Sequence, residues 1–204
     1  MITKRNFGNK ITLQHYSRRW LGRRQVEKFS TPFKIQKYFN PMLKGHKQVV
    51  IADIGSGPFP LVGTIHPTVE IKLIPSDILA DEFKRMVTDA NITLFIPVEK
   101  QDAENLTYSD DLFDIIHCVN ALDHMENPRK ALMEMHRICK PGGWVYLKHF
   151  KNMGERKGYR GNHGWNISGG RVWDQHGSFL LSDILPGIKT TPSHTMTISV
   201  WNNK

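Results

Sequence analysis

The feature that most constrains this chain is the run Val49-Val50-Ile51-Ala52-Asp53-Ile54, which closes directly on Gly55-Ser56-Gly57. A continuous apolar, β-branched run of this length has no polar face to offer water. It therefore reads as a strand buried on both sides of a parallel sheet. The same theme returns along the chain. Segments 71–74, 94–98, 113–119 and 144–150 read as further strands, and 79–90 as a helix. Asn127 caps another helix with Pro128 at its first position, and Ala131, Leu132, Met135, Ile138 and Cys139 form its apolar stripe. Pro141-Gly142-Gly143 predicts the turn that ends it. Strands alternating with helices predict an α/β fold, a central, mostly parallel sheet with helices on both faces.

The ends differ from this middle. Leu13, Tyr16, Trp20 and Leu21 fall at helical spacing with Arg18, Arg19, Arg23 and Arg24 between them, so 11–40 reads as amphipathic helix. Thr31-Pro32 marks a boundary, and a second short helix runs to Phe39 and stops before Pro41. Residues 151–170 read as a long loop, 178–185 as a short helix, and 195–201 as a last, antiparallel strand. This divides the chain into a basic helical segment over 1–45, expected to act as a lid, and a binding domain over 46–204.

Composition narrows the classes. The 204 residues suffice for one substantial core. Cys118 and Cys139 are too few for a disulfide scaffold and read as buried thiols. No apolar run approaches the ~20 residues of a membrane-spanning helix, and Met1 to Lys10 lack a leader-like apolar stretch. A cytoplasmic protein is expected. The ten histidines show no metal-site spacing with the cysteines, so no metal is expected. The net charge of +9 is unevenly spread. Residues 1–48 hold 12 Lys/Arg against the single acid Glu27, residues 49–139 are acidic, and 140–171 are basic again. Basic flanks favour an anionic partner.

The glycine turn lets the backbone approach a ligand closely. Asp77 follows Asp53 by 24 residues, at the end of the second strand, where an acid can accept from both ribose hydroxyls of an adenosine ligand. The dinucleotide spacing of glycines fails at Pro60, and no Gly-Lys-Ser/Thr follows to make a phosphate loop. Both failures weaken a nicotinamide dehydrogenase or triphosphatase reading.

Taken in series, the motifs resemble class I S-adenosylmethionine-dependent methyltransferases of the type 11 group, across 49–150. The matching stretches are 50–57, Asp77, Asp102-Ala103-Glu104-Asn105-Leu106, 113–117 with Asn120-Ala121-Leu122-Asp123-His124, and 137–143. The resemblance implies a Rossmann-like methyltransferase fold and S-adenosyl-L-methionine as cofactor. It implies that Asp53, Gly55, Ser56 and Gly57 hold the methionine end, and that Asp77 and Ile78 meet the ribose and adenine. Asp102, Ala103 and Glu104 line the adenine, and Asn120 and Ala121 lie beside the methionine portion. Phe59 stands where the family often has a third glycine, which leaves the contact of Pro58 and Phe59 with the cofactor open.

Methyl transfer to oxygen or nitrogen calls for a base near neutral pH, and histidine suits it. His124 is the first candidate, with Asp123 as partner, and His149 at the end of the fifth strand is another. Against this, Asp123 and His124 can equally hold a loop. His163 and Trp165, in a loop dense in hydrogen-bonding groups, suit a sugar or base, and Arg23 and Arg24 suit an anion. The expected activity is O-methylation of a polar anionic small molecule, sugar or glycan, similar to methyltransferases linked to bacterial surface glycans. The alternatives are methylation of RNA or another nucleic acid through the basic N-terminal segment, and a noncatalytic cofactor-binding module.

Overall fold

The computed structural model describes Leu13, Gln14, Tyr16 and residues 29–204. The helix expected over 11–40 falls mostly outside these residues. Leu13, Gln14 and Tyr16 are helical.

Seven strands form the main sheet. They are β1 (Gln48–Ile54), β2 (Glu70–Asp77), β3 (Glu99–Lys100), β4 (Phe113–Val119), β5 (Cys139–Phe150), β9 (Lys189–Pro192) and β10 (Met196–Asn202), in the order β3-β2-β1-β4-β5-β10-β9. The first five are parallel, and β10 runs antiparallel to both β5 and β9. Helix α1 (Asn40–Leu43) precedes β1, α2 (Ala80–Asp89) follows β2, and α3 (Pro128–Ile138) follows β4. A second, three-stranded sheet is made by β6 (Asn166–Ser168), β7 (Arg171–Trp173) and β8 (Ser178–Leu180), after the short helix α4 (Met153–Arg156).

The buried strand read first from the sequence is β1, where Ile51, Ala52 and Ile54 lose almost all exposure. Burial on both faces produces two cores. One packs Leu132, Met135 and Ile138 of α3 against β4 and β5. The other packs Phe39, Met42 and Leu43 against Val49, Ile51 and Tyr146. Cys118 and Cys139 are buried free thiols, as expected. Asn127 caps α3, its side chain accepting from the Lys130 amide. Among the described residues, no helix is long and apolar enough to cross a membrane.

Several local expectations are corrected. The strand expected at 94–98 lies at Glu99–Lys100. Pro97 cannot donate to a ladder, and Phe95 is turned aside by its amide bond to the Phe29 carbonyl and its ring contact with Phe33. The short helix expected to start after Thr31 is instead extended to residue 36. There Phe33 and Ile35 exchange backbone bonds with Thr64 and Ile65. Pro41 does not stop a helix but opens α1, a position where its missing N–H costs nothing. Segment 151–170, expected as loop, holds α4 and β6; within 178–185, expected as a short helix, Ser178–Leu180 is β8 and only Leu181–Asp183 is helical, as one 3₁₀ turn. At the C-terminal end of α3, Pro141-Gly142-Gly143 is absorbed into β5 through a register shift against β4.

Candidate active site

The order of strands reverses between β1 and β4. Their carboxyl ends, with those of β2 and β5, form the crevice where open α/β sheets bind ligands. The glycine turn enters it from β1. Gly55 and Gly57 both adopt positive φ, 69° and 66°. The amides of Gly55 and Ser56 donate to the Ser76 carbonyl, which pins the turn to β2. A methyl group on Gly55 would lie 2.4 Å from the Ala121 methyl, so glycine is required there by contact as well as by φ.

Asp77 sits across from the turn. Its carboxylate accepts from the amides of Gly57 (3.0 Å) and Leu79 (2.9 Å), one on each oxygen. Each oxygen keeps a further lone pair for a hydroxyl donor. Burial pushes this carboxyl above its usual pKa, against the lowering effect of the two amides. Tyr16 packs over the turn, since a Cβ on Gly57 would lie 2.6 Å from its hydroxyl, and its ring meets Phe83 edge-on. Burial, then the charges of Asp77 and Asp53, push the Tyr16 hydroxyl up to about 12, so it stays a neutral donor. Phe59 belongs to a small core cluster with Phe29 and Val87. It is buried and stacked on Phe29 at 5.2 Å, which accounts for an aromatic residue where the related motif has glycine.

Asp53 is buried at the end of β1 and bonded to His117 Nδ1 (2.7 Å), whose Nε2 meets the Tyr38 hydroxyl (3.0 Å). His117 also stacks on Tyr146. Neither His117 nor Tyr38 was singled out from sequence. The available signal was a histidine inside an otherwise apolar strand, which needs a buried partner. Asn120, at φ 53°, donates its amide to the Lys148 carbonyl and accepts from the Phe150 amide, so it ties the ends of β4 and β5 together. Asp102 accepts from the Glu104 amide in a tight turn. Glu104 accepts from the Glu126 amide and tethers that turn to the 122–126 loop. Ile78 is half-buried beside Asp77, and Ala103 packs on the main core.

Two residues beyond Ala121, the chain presents a second group. Asp123, buried with a 4% exposed side chain, accepts from His163 Nδ1 at 2.7 Å. His124 Nε2 lies 3.2 Å from the same His163 nitrogen and 3.6 Å from Asp123 Oδ2. The side chains of His124 and His163 are 33% and 27% exposed, so the cluster opens to solvent on one side. Burial acts to raise the Asp123 carboxyl. The charge of His124 and the bond from His163 outweigh it and hold the group below its usual range. His149, at the end of β5, is 1% exposed, and neither ring nitrogen has a hydrogen-bonding partner among the described residues. Burial lowers its pKa to about 4, so it is neutral at physiological pH.

The loop that delivers His163 is held by Asn166, which is fully buried. Its oxygen accepts from the Glu155 amide, and its nitrogen donates to Tyr159 Oη and Glu155 Oε1. Trp165 donates its indole N–H to the Met125 carbonyl and meets Phe179 edge-on, so this ring fastens the loop to the segment after His124. Arg23 and Arg24 lie outside the described residues. The expectation of no metal centre rested on spacing along the chain. The fold brings Asp123, His124 and His163 within metal-ligand reach across 39 and 40 positions.

Residues 52–147 match the methyltransferase domain family. The chain is 36% identical over 106 residues to a probable methyltransferase from Aspergillus luteorubrus, covering 46% of this chain and 37% of that protein. It is 33% identical over 105 residues to the ubiquinone/menaquinone biosynthesis C-methyltransferase of Coxiella burnetii, covering 49% and 42% respectively. The chain thus spans about two fifths of the length of these curated relatives. Its fold is shared with an S-adenosylmethionine-dependent methyltransferase from Aquifex aeolicus, at TM-score 0.52 and 18% identity over 88% of this chain and 97% of that one. A methyltransferase structure from Methanococcus maripaludis matches at TM-score 0.55 and 15% identity, over 100% and 94%. Residues 52–147 thus match a methyltransferase domain, and the strand order, the glycine turn and Asp77 agree with the fold of S-adenosylmethionine-dependent methyltransferases.

Proposed function

We propose that this protein methylates an oxygen of a polar, anionic acceptor of the small-molecule, sugar or glycan class. S-adenosylmethionine, when bound, supplies an electrophilic methyl group on a sulfonium and leaves as the neutral thioether. The residues fit this cofactor. Gly55 and Gly57 hold the turn at positive φ and add no side chain of their own, Asp77 has lone pairs for two hydroxyls, and the neutral Tyr16 hydroxyl lies over the turn. Among the described residues of the basic N-terminal segment, Tyr16 lies over the glycine turn and Tyr38 reaches His117 beside Asp53, which supports that segment's role as a lid.

The observation that carries the reading is the Asp123–His163–His124 cluster. It stands two residues from Ala121, whose methyl touches the glycine turn, so an acceptor held there lies beside the cofactor. The imidazoles can take the acceptor's proton, and buried Asp123 stabilises the charge that results. The basic stretch 140–171 surrounds this loop in sequence and suits a phosphate or carboxylate on the acceptor.

Two measurements test this. Calorimetry with S-adenosylhomocysteine should show binding that Asp77→Ala weakens by about 1.5–3 kcal/mol, roughly ten- to a hundredfold, through loss of charged hydrogen bonds. Labelled methyl transfer to phosphorylated sugars and uronates should fall about a hundredfold in His124→Ala while cofactor affinity holds. Transfer to none of these acceptors, but to carbon of a quinol-like ring or to RNA, would refute the oxygen assignment.

A further inference from the structure

We propose that Asp123, His124 and His163 form a binding site for one divalent first-row transition-metal ion, placed to receive the acceptor hydroxyl; the metal's use rests on the methyl-transfer reading, its binding does not. The first argument is geometric. Asp123 Oδ2, His163 Nδ1 and His124 Nε2 stand 2.7, 3.2 and 3.6 Å apart. Ligands of a metal at about 2.1 Å are separated by roughly 3.0–3.4 Å in octahedral or tetrahedral arrangements. A point about 2.1 Å from all three atoms exists, roughly 1 Å out of their plane.

The second argument counts protons. His163 Nδ1 carries either a proton or a lone pair, never both. If it donates to Asp123, that same proton is the one directed between Asp123 Oδ2 and His124 Nε2. If it accepts from His124, its lone pair faces the carboxylate at 2.7 Å. One proton cannot serve all three close contacts well. One cation can, because each atom then directs a lone pair at it.

The donor set selects the ion. Two imidazoles and one carboxylate suit iron, manganese, cobalt, nickel or zinc, whereas magnesium and calcium prefer oxygen shells. The half-exposed imidazoles leave positions on the ion open to water or an acceptor oxygen. Asp123 is held from behind, its backbone carbonyl accepting from the Gly164 amide, which fixes the loop carrying His163 against the loop carrying His124. A hydroxyl held on the ion would release its proton to solvent more readily than a free one.

The test uses the full chain after treatment with a chelator. Cobalt(II) is added and followed by its visible ligand-field absorption, with manganese(II) followed by calorimetry. One equivalent of cobalt per chain is expected, weakened at least tenfold in His163→Ala and in His124→Ala. His136→Ala, which removes an imidazole packed at a tilt against Trp201, should bind as the parent does. Each variant is checked for S-adenosylhomocysteine binding, which reports an intact fold. Failure of the parent to take up either ion, or equal uptake by folded His163→Ala, overturns the site. Methyl transfer by a chain that takes up neither ion would sink the metal site and leave the methyl-transfer reading standing. Stoichiometric uptake with no methyl transfer would do the reverse.

Discussion

His149 gives a quantitative test of the physical reasoning about the site's interior. Its pKa falls from 6.5 to about 4, chiefly because burial opposes charging, with Asp123 pulling the other way. Between these values the unfolded chain binds a proton that the folded chain refuses. Stability therefore falls as pH drops through about 6.5 and levels off below about 4. The full effect of one such group is about 3 kcal/mol, and most of it is spent by pH 4.5. His149→Leu removes the group at similar volume. At pH 7 the variant should match or exceed the parent by up to about 1–3 kcal/mol, because two unpartnered buried nitrogens are gone. Urea unfolding at pH 7 and pH 4.5 reads both quantities. Carboxylates common to the two chains cancel in the comparison. The variant should lose about 2–3 kcal/mol less than the parent between the two conditions. Parallel losses would refute the claim that His149 is held neutral by burial.

Other substitutions probe the parts around it. Gly55→Ala places a methyl 2.4 Å from Ala121 at a positive φ, so it should lower stability by about 2 kcal/mol or more and abolish S-adenosylhomocysteine binding by calorimetry. His117→Ala leaves Asp53 buried without its hydrogen-bonding partner and should cost about 1–3 kcal/mol in urea unfolding. Asn166→Ala removes three hydrogen bonds at a fully buried position. It should cost about 2–4 kcal/mol, and hydrogen exchange over 152–166 should speed up more than exchange in β1.

The fold was legible wherever the signal was local. Strands β1, β2 and β4 and helix α3 each carry their own burial pattern and punctuation, so 49–54, 113–119 and the Asn127-Pro128 cap could be placed from spacing alone. The expectation failed where a distant partner overruled local preference. Leu94, Phe95 and Ile96 are apolar enough for a strand, but they pack on the aromatic groups of Phe29 and Phe33 instead of joining β2. The sequence 178–185 has helical composition, yet Ser178–Leu180 pairs with β7, which no periodicity in either segment announces.

The site divides along the same line, and this has a consequence for how its chemistry is held in place. The glycine turn and Asp77 lie at the carboxyl ends of two adjacent parallel strands, β1 and β2, so their proximity follows from the strand pairing itself. The Asp123–His163 contact spans 40 positions and two separate loops, and no secondary-structure rule brings them together. It exists because Gly154 donates to the Trp165 carbonyl, Asn166 binds Glu155 and Tyr159, and Trp165 reaches Met125. These residues lie outside the Asp123–His124–His163 cluster, yet they decide whether His163 arrives within 3 Å of Asp123. Asn166 is therefore the sharper test of the site than either histidine. If Asn166→Ala keeps cofactor binding but loses both cobalt uptake and methyl transfer, the cofactor crevice and the acceptor cluster are separately built. Retention of cobalt uptake and transfer in that variant would show that the 152–166 loop is held by something other than its buried amide.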